Sequence, residues 1–288
     1  SMNDHKNLAI LQVEIGLVHE NLGNYNQTKT YYQAGLGYWK KVMNPFWLST
    51  ILNNLGVLHQ MLGEYVEASD SFNQALSFAR SCGYARMEAY ILTGIGDIYA
   101  EIRAYSQALT AYQLSEEIAE RTQERFLQIY LLIQKASMKA QSGKFSESYM
   151  YLKQAHNLRN SDQPDMNFYL IELEWAGIKI FENNFQDIIS SLEKIIDFFK
   201  SGGQKVQLER SHLYLALAYI STNQPEKITD DIIQTIAEIN PELSIVVAYG
   251  KILPERIIHL PKFGTLNIHY SLLPRFRGAS PVESAILA

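Results

Sequence analysis

The sequence predicts a mainly α fold. A right-handed α-solenoid of helical hairpins is expected over residues 1–223, five full repeats and a partial sixth, followed by a short α/β segment over residues 224–288. Three observations carry this reading. A small residue recurs every 40 positions, as Gly16, Gly56, Gly96, Ala136, Ala176 and Ala216. An aromatic recurs with the same period, as Tyr25, Tyr65, Tyr105, Phe145 and Phe185, but the next term is Pro225. From Gln224 the helical spacing of apolar residues gives way to strand-type runs, so the repeat is expected to lose phase at Pro225.

Each repeat reads as helix A, a tight turn, helix B and a connector. The stretch Leu52–Phe78 states the pattern most clearly, with its turn at Gly63-Glu64. In the first repeat, helix A is expected over about Leu8–Leu22 and helix B over about Asn26–Val42. Leu11, Ile15, Val18 and Leu22, then Thr28, Tyr32 and Gly35, fall at helical spacing. The small residue of helix A lets helix B approach. A bulky residue of helix B (Tyr32, Phe72, Tyr112, Leu152, Leu192) fills the space beside it. Arg103 and Asn183 stand where other repeats have the turn glycine, and Asn adopts a left-handed conformation more readily than Arg. The sixth repeat has a helix A over Leu208–Ile220 and no evident helix B signature. His19 and His59 are repeat-equivalent and read as packing residues, as do Trp39, Trp47 and Trp175.

These columns resemble the tetratricopeptide repeat: Leu55-Gly56, Gly63, Tyr65, Ala68, Phe72 and Ala75 stand at its signature spacing. The common period of that family is about 34 residues. The longer period here is similar to that of the sensor domains of bacterial regulators of the maltose-activator type. The resemblance implies a concave groove lined by helix A. Its expected residues are Thr50, Asn53, Val57 and Gln60, then Tyr90, Thr93, Asp97 and Ala100, then Tyr130, Ile133 and Ser137. Chaperone-tail binders of the family place Lys, Arg and Asn there to hold a peptide carboxylate. With no Lys or Arg at these positions, the expected ligand is a helix or extended peptide gripped by tyrosines and amides.

Composition narrows the function classes. A hydrophobic content of 47% with 19% charged residues is that of a folded chain. Lys+Arg number 19 against 23 Asp+Glu over residues 1–223, and 6 against 7 over 224–288. Neither part has the basic excess that nucleic-acid binding requires. Cys82 is the only cysteine, which excludes an internal disulfide and a thiolate metal site and fits a reducing cytoplasm. No apolar run reaches the roughly 18 residues of a membrane helix, and no signal peptide is read at the start. Ser1 before Met2 looks like a tag-cleavage scar.

After Gln224 a helix is expected over Thr229–Ile239, capped by Thr229 and ended by Asn240-Pro241. A strand over Leu243–Tyr249, a short helix over Pro254–Leu260 and a strand over Gly264–His269 follow, with a loop over Tyr270–Ser280 and a helix from Pro281. This order implies parallel strands joined by a crossover. The residues Val246–Pro254, Asn267-Ile-His269 and Ser271-Leu-Leu-Pro-Arg-Phe-Arg-Gly278 resemble methionyl-tRNA formyltransferase.

That resemblance implies transfer of a formyl group from 10-formyltetrahydrofolate to the amine of methionyl-tRNA. Asn267 would donate a hydrogen bond to the tetrahedral oxyanion, and His269 would move a proton. Residues two apart on a strand share a face, so the pair can converge on one carbon. Ser271, Leu272, Leu273, Pro274, Arg275, Arg277 and Gly278 would form the substrate loop. The family's third catalytic residue, an Asp, and the N-terminal half of its fold are not found in the sequence, which ends at Ala288. The expected reading is therefore an interaction scaffold for a protein or peptide, with no cofactor and no metal, carrying a formyltransferase-like segment inactive alone. One alternative is the formyltransferase, with 10-formyltetrahydrofolate and tRNA. In another, residues 229–239 serve as helix B of the sixth repeat, and the rest of the tail supports self-association.

Overall fold

The computed structural model describes residues 2–159, 161, 163–247 and 253–268. Contacts divide the chain into two units, residues 1–178 with 203–205, and residues 179–202 with 206–288.

The first unit is a stack of helical hairpins. Its helices are α1 (Met2–Asn21), α2 (Tyr25–Val42), α3 (Pro45–Met61), α4 (Tyr65–Ser81), α5 (Ala85–Glu101), α6 (Tyr105–Arg121), α7 (Arg125–Gln141) and α8 (Phe145–Asn157), with most of α9 (Met166–Phe181). Local chemistry sets the ends. Asn44 Oδ1 accepts the Trp47 amide at 3.1 Å ahead of Pro45, a residue suited to the first helical turn. Asp165 Oδ1 likewise accepts the Phe168 amide at 2.8 Å and opens α9.

Turns repeat with half the period of the hairpins. Positive φ occurs at Gly23, Met43, Gly63, Gly83, Arg103, Gln123, Gly143, Asn183, Gly203 and Asn223. At each turn inside a hairpin the same two bonds close the first helix, as in Gly63 N to Gln60 O at 2.9 Å and Glu64 N to His59 O at 2.8 Å. Arg103 and Ala104 repeat them onto Ala100 and Tyr99. These bonds satisfy carbonyls that a helix end leaves open, and the left-handed residue is their geometric requirement.

Packing inside each hairpin is a match of sizes. A Cβ built on Gly16 would lie 2.6 Å from the Tyr32 ring, one on Gly56 2.6 Å from Phe72, and one on Gly96 2.4 Å from Tyr112. In the fourth hairpin the pair is Ala136 and Leu152, in one core cluster. Glycine thus stands opposite an aromatic ring, and alanine opposite a branched aliphatic. Phe72 is enclosed from a second side, because a Cβ on Gly94 would lie 2.4 Å from its ring. Between hairpins, Leu48, Ile51, Leu55 and Leu58 of α3 are buried in one cluster with Ala9, Val13, Tyr32 and Trp39 of the first hairpin.

The second unit contains α10 (Ile189–Ser201), all but the first residue of α11 (Lys205–Ser221), α12 (Asp230–Glu238), strand β1 (Ser244–Val247), α13 (Glu255–Ile258) and strand β2 (Thr265–Ile268). Here the expected loss of phase is corrected. A 3₁₀ turn at Gln186–Ile188 leads into α10, and another at Pro225–Lys227 precedes α12. Ile228 stands 40 residues after Ile188, and Ile232 stands 40 after Leu192; all four are buried. Asn223 continues the positive-φ series of the turns. His212 Nδ1 lies 2.9 Å from Thr235 Oγ1, joining α11 to α12. The sixth hairpin therefore has its second helix. Its signature is hidden because Pro225 replaces the aromatic and the bulky columns are aliphatic. Thr229 caps α12, its hydroxyl accepting the Ile232 amide at 3.4 Å.

β1 and β2 pair in parallel, with Ser244 opposite Thr265, Ile245 opposite Leu266, Val246 opposite Asn267 and Val247 opposite Ile268. The partners Ile245 and Leu266 are both more than half exposed. Arg256 of α13 donates to the Ile228 and Pro225 carbonyls, which anchors the crossover helix to the turn before α12.

Candidate functional site

The residues expected to line a groove divide into three groups. Thr50, Asn53, Val57, Gln60, Tyr90 and Ser137 are half-buried on α3, α5 and α7. Thr50 Oγ1 donates back to the Phe46 carbonyl at 3.0 Å. Asn53 Oδ1 is buried without a hydrogen-bond partner, while its amide nitrogen reaches Asn54 Oδ1 at 3.5 Å. Gln60 Nε2 donates to Glu101 Oε1 at 2.7 Å and ties α3 to α5. Val57 packs on the core cluster around Phe72, and Tyr90 on the cluster around Tyr112. Ala100 is also half-buried.

Thr93 and Ile133 are corrections. Both are buried, at 4% and 6% exposure. Thr93 Oγ1 donates to the Ala89 carbonyl at 3.0 Å and meets Ser115 Oγ at 2.8 Å, so its hydroxyl is used within the hairpin. Ile133 belongs to the core around Leu152. The helical period assigns both to the expected stripe, but α6 and α8 cover them.

Asp97 and Tyr130 form a third group. The Tyr112 hydroxyl donates to Asp97 Oδ1 at 2.6 Å and the Tyr130 hydroxyl to Oδ2 at 3.0 Å, from α6 and α7. Burial raises the Asp97 carboxyl to about 7 against the lowering influence of these two bonds. Burial also pushes the Tyr112 hydroxyl well above its ordinary range. Sequence reading missed Glu20 and Glu101. Glu20 accepts from the Tyr32 hydroxyl at 2.9 Å, and burial raises its carboxyl. The signal was available: a tyrosine in a column otherwise held by Phe or Leu needs an acceptor for its hydroxyl.

In the tail, Asn267 lies on β2 opposite Val246. His269 and the loop residues Ser271, Leu272, Leu273, Pro274, Arg275, Arg277 and Gly278 lie outside the described residues. Among the described residues there is no group of three or more His, Cys, Asp or Glu arranged to hold a metal ion. No helix among them is long and apolar enough to cross a membrane.

Comparison with known proteins matches two stretches of the chain. Residues 7–81 match the tetratricopeptide repeat, and residues 200–288 match the formyl transferase family. The second match begins within α10, ahead of the 223–224 boundary read from the sequence, and so includes the sixth hairpin. Over 87 residues the chain is 49% identical to a methionyl-tRNA formyltransferase of Sulfurihydrogenibium sp., covering 30% of this chain and 28% of that protein. The homologue from Thermodesulfovibrio yellowstonii is 41% identical over 107 residues, 35% of each chain. The chain thus spans about a third of the length of these curated relatives. Among solved structures, BtubC (BKLC) from P. vanneervenii is similar in fold, with a TM-score of 0.50 and 13% identity over 77% of this chain and 92% of that one. The chain carries tetratricopeptide repeats towards its N-terminus and part of a formyl transferase domain towards its C-terminus.

Proposed function

We propose that this chain is a peptide- or protein-binding scaffold, and that its formyltransferase-like segment does not act as a catalyst alone. The observation that carries the reading is the face shared by α3 and α5, where Thr50, Asn53, Gln60 and Tyr90 stay half-buried. Asn53 Oδ1 there has no partner. A buried amide oxygen without a donor is an unmet requirement of about 1–3 kcal/mol, which a peptide N–H would meet. Tyr90 on α5 offers a large, rigid half-buried surface, and the Tyr130 hydroxyl of α7 is held by Asp97 of α5. Nothing in this reading needs a cofactor, and a single cysteine suits a reducing cytoplasm.

The test is selection from a displayed library of random extended peptides on the intact chain. Enriched peptides should lose at least about tenfold in affinity with Asn53→Ala or Tyr90→Ala, the scale of one interface hot spot. Selection of no peptide, or peptides indifferent to both changes, counts against the groove.

A second reading rests on the identity to methionyl-tRNA formyltransferases. Under it, the tail transfers formyl from 10-formyltetrahydrofolate to methionyl-tRNA, with Asn267 and His269 in the roles given above. Formyl transfer by the intact chain, abolished by Asn267→Ala and by His269→Ala, would support this reading and remove the first one's claim about the tail.

A further inference from the structure

One carboxyl on α5 is shared between two hairpins. Asp97 takes the Tyr112 hydroxyl on Oδ1 at 2.6 Å and the Tyr130 hydroxyl on Oδ2 at 3.0 Å. The two tyrosines differ in setting. Tyr112 is fully buried inside the third hairpin, whereas Asp97 and Tyr130 are half-buried and keep a face to solvent. The first hairpin shows which bond the packing needs. Tyr32 stands 80 residues before Tyr112, in the same column, and its hydroxyl is satisfied by Glu20 at 2.9 Å. One carboxyl oxygen per buried tyrosine is enough to hold a hairpin. The bond from Tyr130 is an addition, made by a residue of the expected groove.

The surroundings leave this carboxyl responsive to protons. Asp97 has no ion pair with Lys, Arg or His among the described residues. The charged group acting on it is Glu101, one turn along α5, which is itself bound by Gln60 of α3 and Tyr65 of α4. From α6 and α7 it meets the Tyr112 and Tyr130 hydroxyls. Nearby cations are engaged elsewhere, Lys135 of α7 with Glu116 and Arg86 of α5 with Glu124.

We propose that Asp97 and Tyr130 form a proton-operated gate on the peptide groove. With the carboxyl ionised, the Tyr130 hydroxyl is turned inward as a donor. With it protonated, that hydroxyl accepts from Asp97 and offers its own hydrogen to a backbone carbonyl of a bound peptide. An ionised carboxylate only accepts, so it draws the hydrogens of both tyrosines. A neutral carboxyl carries one O–H, and that oxygen becomes a donor. The enclosed Tyr112 stays committed to Oδ1 by the shorter bond, so the proton arriving from solvent goes to Oδ2, the oxygen facing Tyr130. Burial raises the carboxyl to about 7, so the exchange falls in the neutral range. The gate rests on the peptide-binding reading above and adds its regulation: binding tightens as pH falls.

Carbon NMR of the intact chain labelled at tyrosine Cζ tests the gate without a ligand. The Tyr130 signal, assigned by its loss in Tyr130→Phe, should move between about pH 5 and about pH 8.5 and stay fixed in Asp97→Asn. In that variant the amide nitrogen donates to Tyr130 at every pH, so the acid form is held permanently. A Tyr130 signal that is fixed in the natural sequence, or moves equally in Asp97→Asn, overturns the proposal. So does a larger movement of Tyr112 than of Tyr130. The second test uses capped peptides without titratable side chains, selected on the intact chain at about pH 5.5. They should bind about three- to tenfold tighter there than at about pH 8.5, the scale of one hydrogen bond. Asp97→Asn should hold the tighter affinity at both values and Tyr130→Phe the weaker. Selected peptides bound equally at both values overturn the gate and leave the groove standing. Selection of no peptide overturns the groove and the gate on it together.

Discussion

Tyr112 and Asp97 are bound across the third hairpin, the phenol hydroxyl donating to Oδ1 at 2.6 Å. Tyr130 supplies the second donor from the next hairpin at 3.0 Å, so one carboxyl joins α5, α6 and α7. Its proton affinity is raised in the folded chain, from 3.8 to about 7, chiefly by burial, with a smaller push from Glu101. The folded state therefore holds a proton that the unfolded state has released across that range. Stability is highest below the unfolded value and falls as pH rises from about 4 to about 7. The loss is on the order of a few kcal/mol, at 1.36 kcal/mol per unit of pKa difference. Asp97→Asn should flatten this dependence. Denaturant titrations of both forms across the same pH range measure it, and an equally steep slope in the variant would remove Asp97 as its source.

Gly56 faces Phe72 too closely for any side chain, and Gly94 stops the ring from retreating. Gly56→Ala should destabilise by about 1–3 kcal/mol through overpacking, reduced by up to about 1 kcal/mol of helix propensity. Adding Phe72→Leu reproduces the pairing of Ala136 with Leu152 and should recover part of the loss, although Phe72→Leu alone leaves a void and is unfavourable. A double-mutant cycle from urea unfolding checks it. Additive effects would mean that the two sites do not sense each other.

Arg103 holds φ at 61° in a turn where Gly23, Gly63 and Gly143 serve elsewhere. Its Cβ makes that conformation costly by about 1–2 kcal/mol, and glycine removes the cost while adding freedom to the unfolded chain. Arg103→Gly should raise stability by about 1 kcal/mol, and Gly63→Ala should lower it by a similar amount. Thermal melts read both signs directly.

The sixth hairpin has its own tests. Ile232→Ala should cost about 2–4 kcal/mol as a buried large-to-small change, and Thr229→Ala about 1 kcal/mol as a lost cap. Limited proteolysis read by intact mass should give a resistant core that ends beyond Glu238. A core ending at Asn223 would show α12 to be a passenger.

Much of the first unit was legible because its information is local and repeated. The columns of small and bulky residues name the faces that touch, and the left-handed turns mark the ends of helices. The groove was less legible. Thr93, Ile133 and Asp97 occupy the same stripe as Thr50 and Asn53, yet Thr93 and Ile133 are covered and Asp97 is bonded by two tyrosines. Helical period gives the direction of a side chain around its own axis. It does not give the neighbour that arrives from the next hairpin.

The boundary at Pro225 illustrates the same division. By itself the sequence determined the hairpin period, the exchange of glycine for alanine with partner size, and the presence of a second sequence type in the tail. Only the tertiary structure decided that Ile228 and Ile232 continue the columns of Ile188 and Leu192. A column is recognised in sequence by residue identity, but it is filled in space by volume. Aliphatic side chains behind a proline fill that volume, although they no longer spell the repeat.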